Sequence, residues 1–175
     1  MRQWVMGLLV TGLALAAWGG EAEIPETTDG LKAQMAAVFE AAKAGDNEKL
    51  TQRLKQMILP DAEAWFKELL GEEPGAVAAK EYANRVKDIV PHYDGLFKKL
   101  VAKQPVEIIV AKLRNPDDME FRGRHDDAHR QKKKYVALYH VLFRGDKFGW
   151  GMPSFVYVKG AFRVVMGKAH VAAKD

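Results

Sequence analysis

The chain has 175 residues, 48% of them hydrophobic and 29% charged, with a formal net charge of +4. That length fits one domain, that composition excludes a disordered chain, and a multi-span membrane protein is excluded because only the first twenty residues form a long apolar run. There is no cysteine, which excludes a disulfide scaffold, a thiol nucleophile, a thiolate metal site and a cysteine-linked lipid.

The first segment reads as a label. Met1-Arg2-Gln3 is a short basic start, Trp4 to Trp18 is apolar apart from Thr11 and the glycines, and small residues follow at Gly19, Gly20 and Ala22. This three-part pattern is that of a secretory signal peptide. The expectation is a leader over 1–22, cleaved after Ala22 or nearer Gly19 or Gly20, and a single domain over 23–175. A membrane anchor is the alternative, but the apolar run is short and glycine-containing for a span. No twin arginine precedes the run, which points to the general secretory route. The expected destination is a bacterial periplasm or the exterior, with no integral membrane anchor after processing.

Helical spacing dominates from 31 to 104. Leu31, Met35, Val38, Phe39 and Ala42 share one face of a first helix, which Gly45 can end. Asp46 can cap a second helix carrying Leu50, Leu54, Met57 and Ile58, up to Pro60. Asp61 is placed to cap a third, with Glu63 in its first turn, and with Trp65, Phe66, Leu69 and Leu70 as its apolar side before Gly71. Pro74 can open a fourth, with a stripe through Val77 or Ala78, Tyr82, Val86 and Ile89. Pro91 is expected to end it, leaving a short last helix with Tyr93, Leu96, Phe97 and Leu100.

The period then changes to that of strands. Val106–Leu113 is rich in β-branched residues. A strand over 134–143 carries Tyr135, Ala137, Tyr139, Val141 and Phe143 on one face, and Val136, Leu138, His140 and Leu142 on the other. Both faces are apolar, so both should be covered. Arg144-Gly145-Asp146-Lys147 reads as a turn, and Gly149, Gly151 and Gly160 are also assigned to turns. Ser154–Val158, a Lys159-Gly160 turn and Ala161–Met166 read as a hairpin. Met119–Gly123 is a further strand candidate before a polar loop over 124–133. Helices first and antiparallel strands second predict an α+β fold with the helices on one face of a curved sheet.

Two features together resemble a known superfamily. An amphipathic first helix is followed by Ala44-Gly45-Asp46-Asn47-Glu48 and a second helix. The chain then ends in Phe155-Val156-Tyr157-Val158-Lys159-Gly160-Ala161-Phe162-Arg163-Val164-Val165. This order and spacing is similar to the nuclear transport factor 2-like fold, an α+β cone related to the cystatin-like architecture. Lys159 stands where aspartate is usual in that family, and residues 60–71 read as helix where the family has an early hairpin. The resemblance implies a pocket between sheet and helices. It implies no particular reaction, because such folds serve as enzymes and as binding modules.

Charge is uneven along the chain. Residues 23–105 hold 12 basic and 14 acidic side chains, net −2, whereas 106–175 hold 14 and 8, net +6. Arg122, Arg124, Arg130, Lys132, Lys133 and Lys134 form the densest basic cluster. It could meet an anionic surface, or simply be a solvated loop that guards a sheet edge. Nucleic acid is not an expected partner, because Asp117, Asp118, Asp126 and Asp127 interrupt the patch and it carries no stacking aromatic motif.

The candidate chemistry is sparse. His125-Asp126-Asp127-Ala128-His129 has histidines four apart, but the metalloprotease glutamate is missing and cations flank it, so no metal is expected. There is no glycine-rich phosphate loop, and no cofactor is expected. Ser154 is not in a Gly-x-Ser-x-Gly elbow. His140 lies among apolar residues and could act as a general base, with Glu107 on another strand as a carboxylate partner, or Asp61 or Glu63 if the first helices line the pocket. Tyr139, Trp150, Phe155, Tyr157 and Trp65 could line an apolar ligand site or form ordinary core. The leading expectation is a secreted, non-catalytic module that binds a small, partly apolar ligand or a protein, including a second copy of itself. One alternative is an isomerase-, dehydratase- or hydrolase-like pocket using His140 with a carboxylate. The other is an envelope adaptor that meets an anionic surface through loop 122–134.

Overall fold

The computed structural model describes residues 23–103, 106–113 and 136–165. Four helices precede four strands: α1 Thr28–Lys43, α2 Asn47–Gln56, α3 Ala62–Leu70, α4 Glu72–Val101, β1 Glu107–Leu113, β2 Leu138–Gly145, β3 Phe148–Val158 and β4 Ala161–Val164. The strands form one antiparallel sheet in the order β1-β2-β3-β4. This is the α+β architecture expected from the change of period.

Caps fix the first two helices. The Thr27 hydroxyl accepts from the Gly30 N–H at 3.0 Å, and the Asp46 carboxylate accepts from the Lys49 N–H at 2.9 Å. Each satisfies one of the donors that a helix start leaves free. Asp61 departs from the expectation. It precedes α3 with φ 49° and makes no side-chain cap bond. Its carboxylate pairs instead with Lys159 at the β3–β4 turn. Lys159 also has φ 49° and Gly160 has φ 76°, so both central residues of that turn are left-handed, as a two-residue hairpin requires.

Pro91 does not end a helix. It lies inside α4, which runs for 30 residues. Ala78, Tyr82, Ile89, Tyr93, Phe97 and Leu100 stay buried along one side, so a break would have cost this stripe its register. Pro91 and Lys87, whose carbonyl loses its helical partner, are both solvent-exposed, and water can serve that carbonyl. The packing of one continuous apolar side outweighs a local penalty of about 3 kcal/mol.

Two apolar clusters hold the layers together. The larger joins α1, α2 and the C-terminal half of α4 to Tyr139, Val141, Phe143, Phe155 and Phe162 on what we call the inner face of the sheet. The smaller joins Phe66 of α3 and Ala78, Ala79 and Tyr82 of α4 to Leu138 and Val156 on the outer face. The start of β2 is therefore covered on both sides, as its sequence requires.

The β4 edge is closed by side chains and one short segment. Gln34 of α1 donates to the Phe162 carbonyl at 2.8 Å and accepts from the Phe162 N–H at 3.1 Å. The Val164 N–H donates to the Met57 carbonyl at 2.8 Å, beside a parallel bridge between Ile58 and Val164. Tyr82 accepts from the Leu59 N–H at 2.7 Å and donates to the Val164 carbonyl at 3.2 Å. An edge strand presents unpaired backbone groups, and here they are consumed internally.

Candidate functional site

The pairing of β2 with β3 is irregular at one point. Tyr139 faces Phe155 and Val141 faces Met152, so β3 has one residue more than β2 in this interval. The extra residue makes a bulge over Pro153-Ser154 opposite His140. A proline inside a strand is confined to such places, because it cannot donate to the ladder. The bulge turns Ser154 toward His140, and Oγ lies 3.3 Å from Nε2. His140 is 7% exposed and Ser154 is 3% exposed. Along with Gln34, they are the buried polar side chains among the described residues. Gln34 is explained by the β4 edge, and the other two meet each other.

Beyond this pair, toward the β2–β3 turn, the outer face changes character. Register places Ala111 beside His140, Ile109 and Gly151 beside Leu142, and Glu107 and Gly149 beside Arg144. Ile109 and Leu142 are half-buried, while Gly149 and Gly151 are exposed. A Cβ at Gly149 would sit 3.7 Å from Leu142 Cδ1, so the leucine leans over ground that the glycines leave low. Among the described residues, Ile109 and Leu142 pack into neither apolar cluster. The result is a shallow apolar strip, with His140 and Ser154 at one end and Glu107 and Arg144 at the other.

The expected site residues do not converge on one place. Tyr139 and Phe155 are fully buried core. Trp150 is half-buried and stacks on Phe143, with ring centroids 5.9 Å apart. Tyr157 donates to the Ile24 carbonyl at 2.6 Å and packs against Phe162. Burial, then the carboxylates of Glu23 and Glu26, push its phenol up. These four belong to the inner face, whereas Trp65 packs edge-to-face on Phe66 in the other cluster. Aromatic side chains bury large area and win places in the core first.

Glu107 is not the partner of His140. It lies opposite Arg144, four positions along β1 from the residue opposite His140, and its carboxylate accepts from Arg144 Nη2 at 2.7 Å and Nε at 3.1 Å. The fold sets Ser154 beside His140 instead. Gly149 and Gly151 belong to β3, not to turns. The sequence signal for the bulge was Pro153 within an aromatic strand. Nothing in periodicity alone could pair Ser154 with a particular residue of β2.

Arg122, Arg124, Arg130, Lys132, Lys133 and Lys134 lie outside the described residues, as do His125, His129 and the Met119–Gly123 candidate strand. Among the described residues, no group of three or more histidines and carboxylates could hold a metal ion. No helix among them is long and apolar enough to cross a membrane. Comparisons with protein-family models, with curated proteins and with solved structures found no match.

Proposed function

We propose that this chain is a secreted, non-catalytic binding module of nuclear transport factor 2-like design, whose binding surface is the apolar strip on the outer face of the sheet. The observation that supports this reading most is the exposed pair Gly149 and Gly151 beneath the half-buried Leu142 and Ile109. Core sheets fill such ground with side chains, whereas a face that receives another molecule keeps it low. A small, partly apolar ligand suits the strip's apolar side chains, Ile109 and Leu142. Titration of an apolar, environment-sensitive fluorophore should show saturable binding that Leu142→Lys abolishes while the circular dichroism spectrum is retained. Binding that survives Leu142→Lys would move the surface elsewhere.

A second reading draws on the His140–Ser154 contact. An enzyme of the isomerase, dehydratase or hydrolase kind would use His140 to move a proton, with Ser154 orienting the ring. Under that reading, His140→Ala abolishes turnover of a substrate without changing its binding.

A further inference from the structure

We propose that the chain pairs with a second copy of itself through the free edge of β3 ahead of the bulge, with Gly149 and Gly151 supplying the backbone bonds. β4 lies along only part of β3. Its ladder runs over Phe155–Val158, and the Val165 N–H then reaches the Ser154 carbonyl at 2.8 Å. From Phe148 to Met152, β3 is paired with β2 on one side and, among the described residues, with nothing on the other. Asp146-Lys147 is a two-residue turn, so Gly145 and Phe148 close the β2–β3 hairpin as a hydrogen-bonded pair. The alternation along β3 then turns the N–H and C=O of Trp150 and Met152 toward β2, and those of Gly149 and Gly151 away from it. Both glycines are exposed, and neither has a side chain to shield these groups.

The segment itself points to the occupant. Edge strands are usually guarded by charge, by proline or by cover. The β4 edge is consumed internally, and Pro153 with the bulge closes one end of the β3 edge. Phe148-Gly149-Trp150-Gly151-Met152 carries no charged side chain. Its pattern is the same from either end, large residues alternating with glycine about Trp150 as centre. Antiparallel pairing of such a segment with its own copy has two-fold symmetry, the commonest symmetry of protein dimers. Centred on Trp150, it sets Gly149 opposite Gly151 of the partner subunit as a hydrogen-bonded pair, and Gly151 opposite Gly149 of the partner subunit. Trp150 then faces its own copy in a non-hydrogen-bonded pair, with about 4.5 Å between Cα atoms, where side chains meet most closely. Trp150 is half-buried on the inner face, stacked on Phe143 and edge-on to Tyr93, which holds it in place for that contact. On the outer face, the glycines of the two copies join two apolar strips into one. The pairing does not depend on the strip holding a ligand.

Sedimentation velocity of the chain over 23–175 across a concentration series tests this. We expect a monomer–dimer equilibrium whose dissociation constant Gly151→Pro raises at least about tenfold. Proline removes the N–H that faces the partner and leaves the ladder to β2 intact, so the variant should keep the parent circular dichroism spectrum. A chain that stays monomeric up to about 1 mM, or a dimer that Gly151→Pro leaves unchanged, overturns the proposal. Should Gly151→Pro fail to fold, amide hydrogen exchange in the unaltered chain decides. The Gly149 and Gly151 amides should exchange more slowly as the dimer forms. Amides indifferent to concentration, whether fast or protected by the chain's own residues 166–175, would overturn it.

Discussion

At Gln34 a single side chain does the work of a neighbouring strand. Its amide meets both the N–H and the C=O of Phe162, and all of these groups are buried. Gln34→Leu would leave a donor and an acceptor without partners, at about 1–3 kcal/mol each where no water enters. We therefore expect Gln34→Leu to lower unfolding free energy by at least about 2 kcal/mol in urea titration, although leucine suits the apolar stripe better. Tyr93 offers a pH test. Burial, and then the proximity of Tyr82, hold its phenol above the ordinary value of 10.0. A raised acid favours the protonated folded state, so its contribution is complete below the unfolded value and is lost as pH rises past it. Alkaline unfolding should thus be steeper in the parent chain than in Tyr93→Phe, as followed by circular dichroism. At the exposed Asp61 the sign is opposite. The hydrogen bond and charge of Lys159 hold its carboxyl below the ordinary 3.8. Its small, salt-screened contribution is present above that value and is lost as pH falls through the depressed one.

At the scale of elements, legibility followed the source of each signal. The breaks at Gly45 and Gly71 and the Lys159-Gly160 turn were readable because backbone chemistry there is local. Pro91 misled because its penalty is local while the stripe from Ala78 to Leu100 is not. Pro91→Ala should therefore raise thermal stability, by up to about 3 kcal/mol of helix energy, and a fall would show that the proline is needed by its neighbours. β3 is about twice as long as the Ser154–Val158 strand that spacing predicts, because Gly149 and Gly151 look like turn residues until the register of β2 places them in a ladder. The His140–Ser154 contact depends on that register and on the bulge at Pro153, so it could not be read from spacing. Spacing leaves open whether the inner-face aromatics line a ligand site or form core, because that depends on which helices cover which strands.

At the scale of the molecule, the helices are shared unequally between the two faces of one sheet. α1, α2 and the second half of α4 take the inner face, while α3 and the first half of α4 take only one end of the outer face. The remaining outer face carries Ile109, Leu142, Gly149 and Gly151, and it is there that the account places binding. Native mass spectrometry of the protein purified from its own compartment, beside its Gly151→Val variant, tests that claim most directly. The account predicts a reproducible added mass on the parent chain that the variant lacks, with both folded. An added mass retained in full by the Gly151→Val protein, or none on either, would contradict it.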